Sequence, residues 1–375
     1  MKPNEEILIV GNGIISLSIA FKLTLEGKKV TVVGKNLTGK ATSVAAGMLA
    51  PVGELAFEDS NHTEFNLKAL CVWKSFAQEI LKYTKAKIGF SNSQSLLVAY
   101  SPDDTNYLKR LQDLYNQLGL KSQWLSPSKL RNLNGYLCPE ISSGILTTTD
   151  WQVDNRLFYK ALQRFLRSSK VSLINSIVRK IKKNNNGFEL TLDDNTNVFS
   201  PCVVIAAGSF SSQIEISPPV ALPYVYPVVG QTIRLKPIAK LPSYMIRGFI
   251  NGKSLYIVNR TYETVIGATS KDAGFNNNIT LGDFSELLEL ARLLLPVLDD
   301  AIIADISSGF RPATLDHLPF VGELDENLYC AYGHYRNGIL QAPITAEIIA
   351  CLINKKPLFK EAHYVSPTRI KKDGG

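Results

Sequence analysis

The sequence predicts a mixed α/β fold: a doubly wound parallel sheet, assembled from separate parts of the chain, with an α+β unit of mixed β-sheet inserted into it. The first observation is the N-terminus. The apolar run Ile7-Leu8-Ile9-Val10 leads into Gly11-Asn12-Gly13, then a helical stretch from Ile14 to Leu25 that Gly27 can stop, then a second apolar run from Val30 to Val33. That order is a β-α-β unit, the usual start of a doubly wound sheet. The second observation is that strand and glycine signals return near 203–208 and over the last ~70 residues. The third is the proline-punctuated, β-rich block at 218–270 that separates them.

In chain order, 62–86 and 103–118 read as helices, with strands at 94–100 and 144–149 around the second. Leu157 to Ser168 reads as a helix. Ser172-Leu173-Ile174, Phe188 to Leu192 and Val203 to Ala206 read as a small meander, its turns at Asn184-Asn185-Asn186-Gly187 and Asp193-Asp194-Asn195. Phe284 to Leu295 is a helix stopped by Pro296, and a strand at 328–332 precedes a helix from about 339 to 353. The expected nucleotide-binding domain is therefore 1–88 with 145–217 and 300–375, and the expected substrate domain is 89–144 with 218–299.

Composition narrows the function classes. A chain of 375 residues exceeds one ordinary core and fits two domains. No apolar run reaches the ~20 residues of a spanning helix, and the N-terminus does not read as a signal peptide, so no integral membrane segment and a cytoplasmic location are expected. The net charge is +8, yet the basic clusters Arg179-Lys180-Ile181-Lys182-Lys183 and Lys371-Lys372 carry no interleaved aromatics, so a solvated surface is expected and no nucleic acid partner. The five cysteines form no CxxC pair and the four histidines show no metal spacing, so no metal is expected and the thiols read as reduced. Oligomeric state is open, a homo-oligomer included.

The chemistry begins at Gly11-Asn12-Gly13-Ile14-Ile15-Ser16, a variant of the GxGxxG turn. Gly11 allows the tight turn, Gly13 lets the backbone approach a pyrophosphate, and Ser16 is small where helix meets strand. Its place between two strands favours a dinucleotide over a merely structural glycine turn. After Val33, where a carboxylate usually accepts bonds from the ribose, stand Gly34-Lys35-Asn36. Two readings fit: a small residue followed by a cation, as in sites for NADP, or an FAD site that has lost its acid. The run Ala41 to Pro51, with Ser43, Ala45, Ala46, Gly47 and Met48, is rich in small side chains. It could be a loop for a flat ring or an ordinary helix start.

Longer segments resolve the choice. The run Ala41 to Pro51 resembles the flavin-contacting segment of the D-amino-acid oxidase superfamily of FAD-dependent oxidoreductases, particularly the glycine oxidases of the thiamine thiazole type. Val203-Val204-Ile205-Ala206-Ala207-Gly208 resembles the strand-to-glycine turn that passes the cofactor. The stretch from Gly309 to Gly322, with Arg311, resembles the family's GLRPxTxDxxPxIG segment. Gly333-His334-Tyr335-Arg336-Asn337-Gly338-Ile339-Leu340-Gln341-Ala342-Pro343 resembles its GHxRNGxxxAP segment. The resemblance implies non-covalent FAD in a Rossmann-like domain, oxidative deamination of glycine or another small amino acid, and O2 as the acceptor. A D-amino-acid dehydrogenase passing electrons to a quinone, an NADPH-dependent reductase and a flavoprotein without activity are the rival readings.

By the same resemblance, Gly11, Gly13, Ile14, Ile15, Ser43, Ala45, Ala46, Gly47, Met48, Ala207, Gly208, Arg311, His334, Arg336, Asn337, Gly338 and Ile339 meet the cofactor, and Val178 meets it through its backbone. A guanidinium at Arg311, at a strand end, can hold a carboxylate in a bidentate fork; Tyr256 adds a hydroxyl, and Arg336 lies beside the ring or the substrate. His334 is not expected to be a base. Asp154, after Asp150-Trp151-Gln152-Val153, reads as a helix cap rather than a catalytic acid. The sequence departs from the glycine oxidases at Ser254, near where a His can occur, at Ser270, where Met is common, and at Gly34. A glutamate at position 34 is expected to face the ribose and tighten FAD binding.

Overall fold

The structure is a computed structural model and describes residues 6–55, 57, 60–169 and 171–369, so Lys371-Lys372 lies outside it. The N-terminal run forms the strand Glu6–Val10, the glycine turn opens the helix Ile14–Leu25, and Lys29–Val33 pairs in parallel with the first strand. They belong to a six-stranded sheet in the order Phe320–Asp325, Leu328–Tyr332, Cys202–Ile205, Glu6–Val10, Lys29–Val33, Ser172–Ile174. Because strand residues alternate between faces, this sheet feeds two cores. Ile7 and Ile9 pack among the helices Ile14–Leu25, Ser60–Thr84, Asn155–Ser168 and Gly338–Ile353. Leu8 and Val10 pack against Ile181, Phe188 and Leu190 of a small second sheet. Each apolar side chain buried this fully contributes about 1.5–3 kcal/mol.

The expected meander is corrected here. Ser172–Ile174 and Cys202–Ile205 are parallel strands of the main sheet, paired with Lys29–Val33 and Glu6–Val10 respectively. Of the three expected strands only Gly187–Leu192 lies in the small sheet, where it pairs with Val178–Asn184. The latter strand contains the basic cluster. Val178 and Ile181 point inward while Lys180 and Lys183 face out and pair with Glu215 and Asp325 at 2.5 and 2.7 Å, so this cluster is a solvated strand face.

The second unit is an eight-stranded sheet in the order Ile303–Ala313, Tyr226–Leu235, Thr264–Gly267, Lys253–Asn259, Met245–Ile250, Ser95–Ala99, Ser143–Thr147, Ser122–Leu125. Leu96, Ile246, Leu255 and Ile257 form a core with the helix Leu281–Leu294 on one face. On the other face Leu97 and Ala99 meet the helix Pro102–Gln117, and farther along the same face Tyr256 and Arg247 look into a cavity. Sheet membership cuts across the expected boundaries. Ile303–Ala313 was expected with the nucleotide-binding parts but pairs with Tyr226–Leu235 along its length, and Ser143–Thr147 straddles residue 145. The segment 303–313 hides its strand character because its alternation is of small and polar residues, Asp305, Ser307 and Gly309, rather than of apolar ones.

Among the described residues, no helix is long and apolar enough to cross a membrane.

Candidate active site

A cavity of about 840 Å³ runs from the first glycine turn to the inner face of the large sheet. At the turn, the wall is backbone. Gly11 sits at φ +127°, and a Cβ there would lie 2.3 Å from the Ala206 carbonyl oxygen, so only glycine lets the two parallel strands end this close. Gly13 is different: its φ is −94° and a Cβ would meet only the Thr42 hydroxyl, at 3.6 Å. Its smallness leaves space on the ligand side. At the helix N-terminus the Gly13 N–H donates to Ser16 Oγ at 2.9 Å, which is half of a capping box since glycine has no side chain to return a bond, and the Ile14 N–H donates to Thr42 Oγ1 at 2.9 Å. Ser16 is thus more than a small packing residue.

Gly34 overturns one expectation. A Cβ there would be 2.6 Å from the Asn12 nitrogen and 2.6 Å from the Gly11 carbonyl carbon. A glutamate at this position would push the glycine turn apart rather than present a carboxylate to a ribose. Lys35, half a side chain in solvent, pairs instead with Asp193 at 3.5 Å.

The small-residue run is a loop pinned from outside. Asn155 Nδ2 donates to the Thr42 carbonyl at 2.7 Å, Thr232 Oγ1 to Val44 at 3.2 Å, Arg234 Nη2 to Ala45 at 2.9 Å, and the Val153 N–H to Gly47 at 2.9 Å. Arg234 is 1% exposed and ion-paired with Glu263. Gly47, at φ +74°, would place a Cβ 2.0 Å from the Val153 carbonyl oxygen. Most of the carbonyls from Thr42 to Gly47 are therefore committed to protein, and the other side of the loop lines the cavity.

At the far end the wall is side chains laid over glycines. Tyr256 faces Gly267 and Arg247 across neighbouring strands, and Arg311 stands two pairs beyond the facing glycines Gly230 and Gly309. A Cβ on Gly267 would strike the Tyr256 phenol at 2.2 Å, and one on Gly230 would strike the Arg311 guanidinium at 2.3 Å. The missing side chains are what let both groups lie along the sheet. Arg311 Nη1 donates to the Thr269 carbonyl at 3.0 Å and to Val229 at 3.4 Å. Burial lowers the Arg311 pKa below its ordinary value, with Tyr256 opposing; burial also raises that of Tyr256, whose phenol stays protonated at neutral pH. His334 is 1% exposed, bonded to Thr345 Oγ1 at 2.9 Å, and pushed down to about 3 by burial, so it is neutral.

The cavity brings together Gly11, Gly13, Ile14, Ile15, Ala45, Ala46, Gly47 and Met48 with Val178, Ala207 and Gly208 from the strand side, and Tyr256, Arg311, His334, Arg336, Gly338 and Ile339 from the other. Ser43 and Asn337 do not line it. Ser43 is exposed and its hydroxyl donates to the Lys40 carbonyl at 2.9 Å; Asn337 begins the final helix and borders a small crevice with His62 and Asn66. Both lie in matching motifs, but a motif fixes position along the chain, and alternate residues of a loop turn outward. Ser254 and Ser270 reach the cavity as exposed residues of its rim. The sequence reading missed Lys40, Glu54 and Arg247, which also line it. For Arg247 the signal was present: it stands opposite Tyr256 once the hairpin register is drawn.

A glycine-turned parallel sheet facing a large mixed sheet across one elongated cavity is the two-unit arrangement of a dinucleotide-dependent oxidoreductase. The chain belongs to the DAO family, FAD dependent oxidoreductase, whose pattern matches residues 6–352. It is similar to the bifunctional protein ThiO/ThiG of Nostoc sp. (strain PCC 7120), 32% identical over 372 residues, covering 96% of this chain and 55% of that one. The chain thus spans about half the length of that relative. It is 29% identical over 362 residues to glycine oxidase of Geobacillus kaustophilus, covering 95% and 94% of the two chains. The crystal structure of glycine oxidase from that organism matches with a TM-score of 0.88 at 27% identity, over 98% of this chain and 100% of that one. FAD fits the residues present: the side-chain-free turn at Gly11 and Gly13 and the externally pinned loop leave this end of the cavity walled by backbone rather than filled by side chains.

Proposed function

We propose that this chain oxidises glycine or another small amino acid to its imine and that O2 takes the electrons, giving peroxide. The observation that carries the reading is the pair Arg311 and Tyr256, laid over Gly230 and Gly267 and aimed into the cavity that continues to the glycine turn. The names of the relatives support the substrate class.

Gly11, Gly13, the 44–48 loop, Val178, Ala207, Gly208 and the Gly338–Ile339 helix start would hold FAD, which when bound supplies the two-electron acceptor. The substrate carboxylate forms a fork with Arg311 and accepts the Tyr256 hydroxyl, which fixes the α-carbon in one orientation. Arg336 adds positive charge at the same end. Neutral His334 moves no proton; it ties the turn to the final helix through Thr345. The protein's contribution is orientation and electrostatics.

The test is a peroxide-release screen of glycine, sarcosine and D-amino acids with FAD added. Peroxide formed with a small amino acid is the expected result. Reduction of a dye without peroxide moves the acceptor away from O2, and no turnover with any of these overturns the reading.

A further inference from the structure

We propose that Glu54 binds the substrate's ammonium group, making the substrate end a paired site for a zwitterion; this rests on the amino-acid reading above. Glu54 lines the cavity together with Arg247, Tyr256, Arg311 and Arg336, and its charge acts on both Tyr256 and Arg311. The other acids on the cavity wall, Asp283 and Glu286, sit on the helix Leu281–Leu294, and it is Glu54 whose charge also acts on Arg336. Glu54 is the carboxylate grouped with the arginines.

The segment that carries Glu54 is held at almost every polar backbone atom. Asp150, 0% exposed, accepts from the Val52 N–H at 3.1 Å, the Gly53 N–H at 2.8 Å and Thr147 Oγ1 at 3.0 Å. Tyr115, also buried, donates to the Val52 carbonyl at 2.7 Å. Arg247 Nη1 donates to the Gly53 carbonyl at 2.9 Å, and the Glu54 N–H donates to Ala50 at 2.9 Å. A Cβ on Gly53 would sit 2.6 Å from Ser95 Oγ and 2.7 Å from Asp150 Oδ2, so the turn closes only around glycine. A buried carboxylate is costly unless its bonds are satisfied, and here those bonds fix one four-residue turn, Pro51 to Glu54, at the cavity wall. An α-amino acid at neutral pH brings one negative and one positive group. Arg311 answers the first. Placing an ammonium among Arg247, Arg311 and Arg336 without an anion would repel it, and Glu54 removes that repulsion.

Glu54→Gln in the FAD-loaded enzyme tests this, using glycine as the zwitterion and acetate as the carboxylate without an ammonium. Loss of one charge-assisted bond is expected to raise the glycine KM about 10- to 150-fold. The acetate Kd, read from its perturbation of the flavin absorbance, stays the same or falls, and flavin content is unchanged. Equal weakening of glycine and acetate would show a structural role and overturn the proposal, as would no change in either. A wild-type enzyme that turns over no amino acid overturns the functional reading and this inference together, whereas an active wild type with an unmoved glycine-to-acetate ratio overturns this inference alone.

Discussion

At the parallel-sheet end of the cavity, the wall is made of what glycines leave out so that a ligand can touch backbone; at the large-sheet end, glycines are left out so that other side chains can lie down. Gly11 and Gly34 are forced by backbone within 2.6 Å of any added Cβ, while Gly230 and Gly267 are forced by the Arg311 and Tyr256 side chains at 2.3 and 2.2 Å. The first pattern is backbone against backbone, Gly34 on the turn of its own β-α-β unit and Gly11 on Ala206 at the end of the neighbouring parallel strand. The second is glycine against side chain, each glycine making room for a residue on another strand. The difference says where substitutions should be tolerated: the backbone end fails as a unit, and the side-chain end fails group by group.

The sharpest break comes within the glycine turn itself. Gly11→Ala meets the Ala206 carbonyl and a positive φ, a strain of about 1–3 kcal/mol before the clash is counted, and should give little folded, flavin-bound protein. Gly34→Ala should behave similarly, reversing the tightening that the sequence alone suggests for a carboxylate there. Gly13→Ala has ordinary space on the protein side. It should fold with a wild-type circular dichroism spectrum yet bind FAD at least about tenfold more weakly, a loss of about 1.4 kcal/mol. Normal FAD affinity in Gly13→Ala would show that the ligand does not approach this backbone.

At the other end, Arg311→Ala removes a charge-assisted bond worth about 1.5–3 kcal/mol, so kcat/KM for amino acids should fall about 10- to 150-fold with flavin content unchanged. Amines lacking a carboxylate should be poor wild-type substrates and respond little. An unchanged kcat/KM for glycine would place the carboxylate elsewhere.

The same contrast explains what the sequence could and could not reveal. The β-α-β start was legible, the helix Ile14–Leu25 to the residue and each strand to within one residue at its start, because strand, turn and helix signals are adjacent. The small sheet was misread because Ser172–Ile174 and Cys202–Ile205 carry a strand pattern but not the identity of their neighbours. The place of Arg311 on the cavity wall was legible through a long motif, whereas Ile303–Ala313 as a strand of the eight-stranded sheet was not. Glu54 was invisible since its place depends on Asp150, 96 positions away along the chain. Gly34 looked like a deficit and is a packing requirement.

Lys40 lies between the two ends and gives a smaller effect. It is half-buried, donates to the Tyr159 hydroxyl at 2.6 Å and lies 4.0 Å from that ring's centre, while the same hydroxyl donates to Asn12 Oδ1 at 2.9 Å in the glycine turn. Burial pushes its pKa down to about 8. Without ligand, the folded state therefore binds Lys40's proton less tightly than the unfolded state. The cost of burying the charge is present in full below pH 8 and fades as pH rises from there toward the ordinary lysine value. Lys40→Met should raise the melting temperature of the apoprotein at pH 7, with the gain shrinking above pH 8. If the cation faces an anionic part of FAD, the variant should also bind FAD about fivefold more weakly at pH 7, and wild-type affinity should decline through pH 8. A flat pH profile for wild-type FAD binding would separate Lys40 from the cofactor.

The smallest effect isolates a residue that lies close to both ends and belongs to neither. Asp154 caps the helix Asn155–Ser168, its Oδ1 accepting from the Arg156 and Leu157 N–H groups at 2.9 Å each. These are two of the donors that a helix N-terminus leaves unmade, and a carboxylate there also answers the positive end of the helix dipole. The next residue, Asn155, donates to the Thr42 carbonyl of the pinned loop, so the helix start is joined to the cavity wall without reaching into it. Asp154→Ala should cost about 1 kcal/mol of stability in urea unfolding. Asp154→Asn should restore most of that, since the amide oxygen still accepts. In both variants kcat/KM should remain within about twofold of wild type, because a change below about 0.4 kcal/mol in transition-state stabilisation is all that a correctly folded loop permits. A large loss of kcat in Asp154→Asn with unchanged unfolding behaviour would make Asp154 a participant in the chemistry rather than a cap.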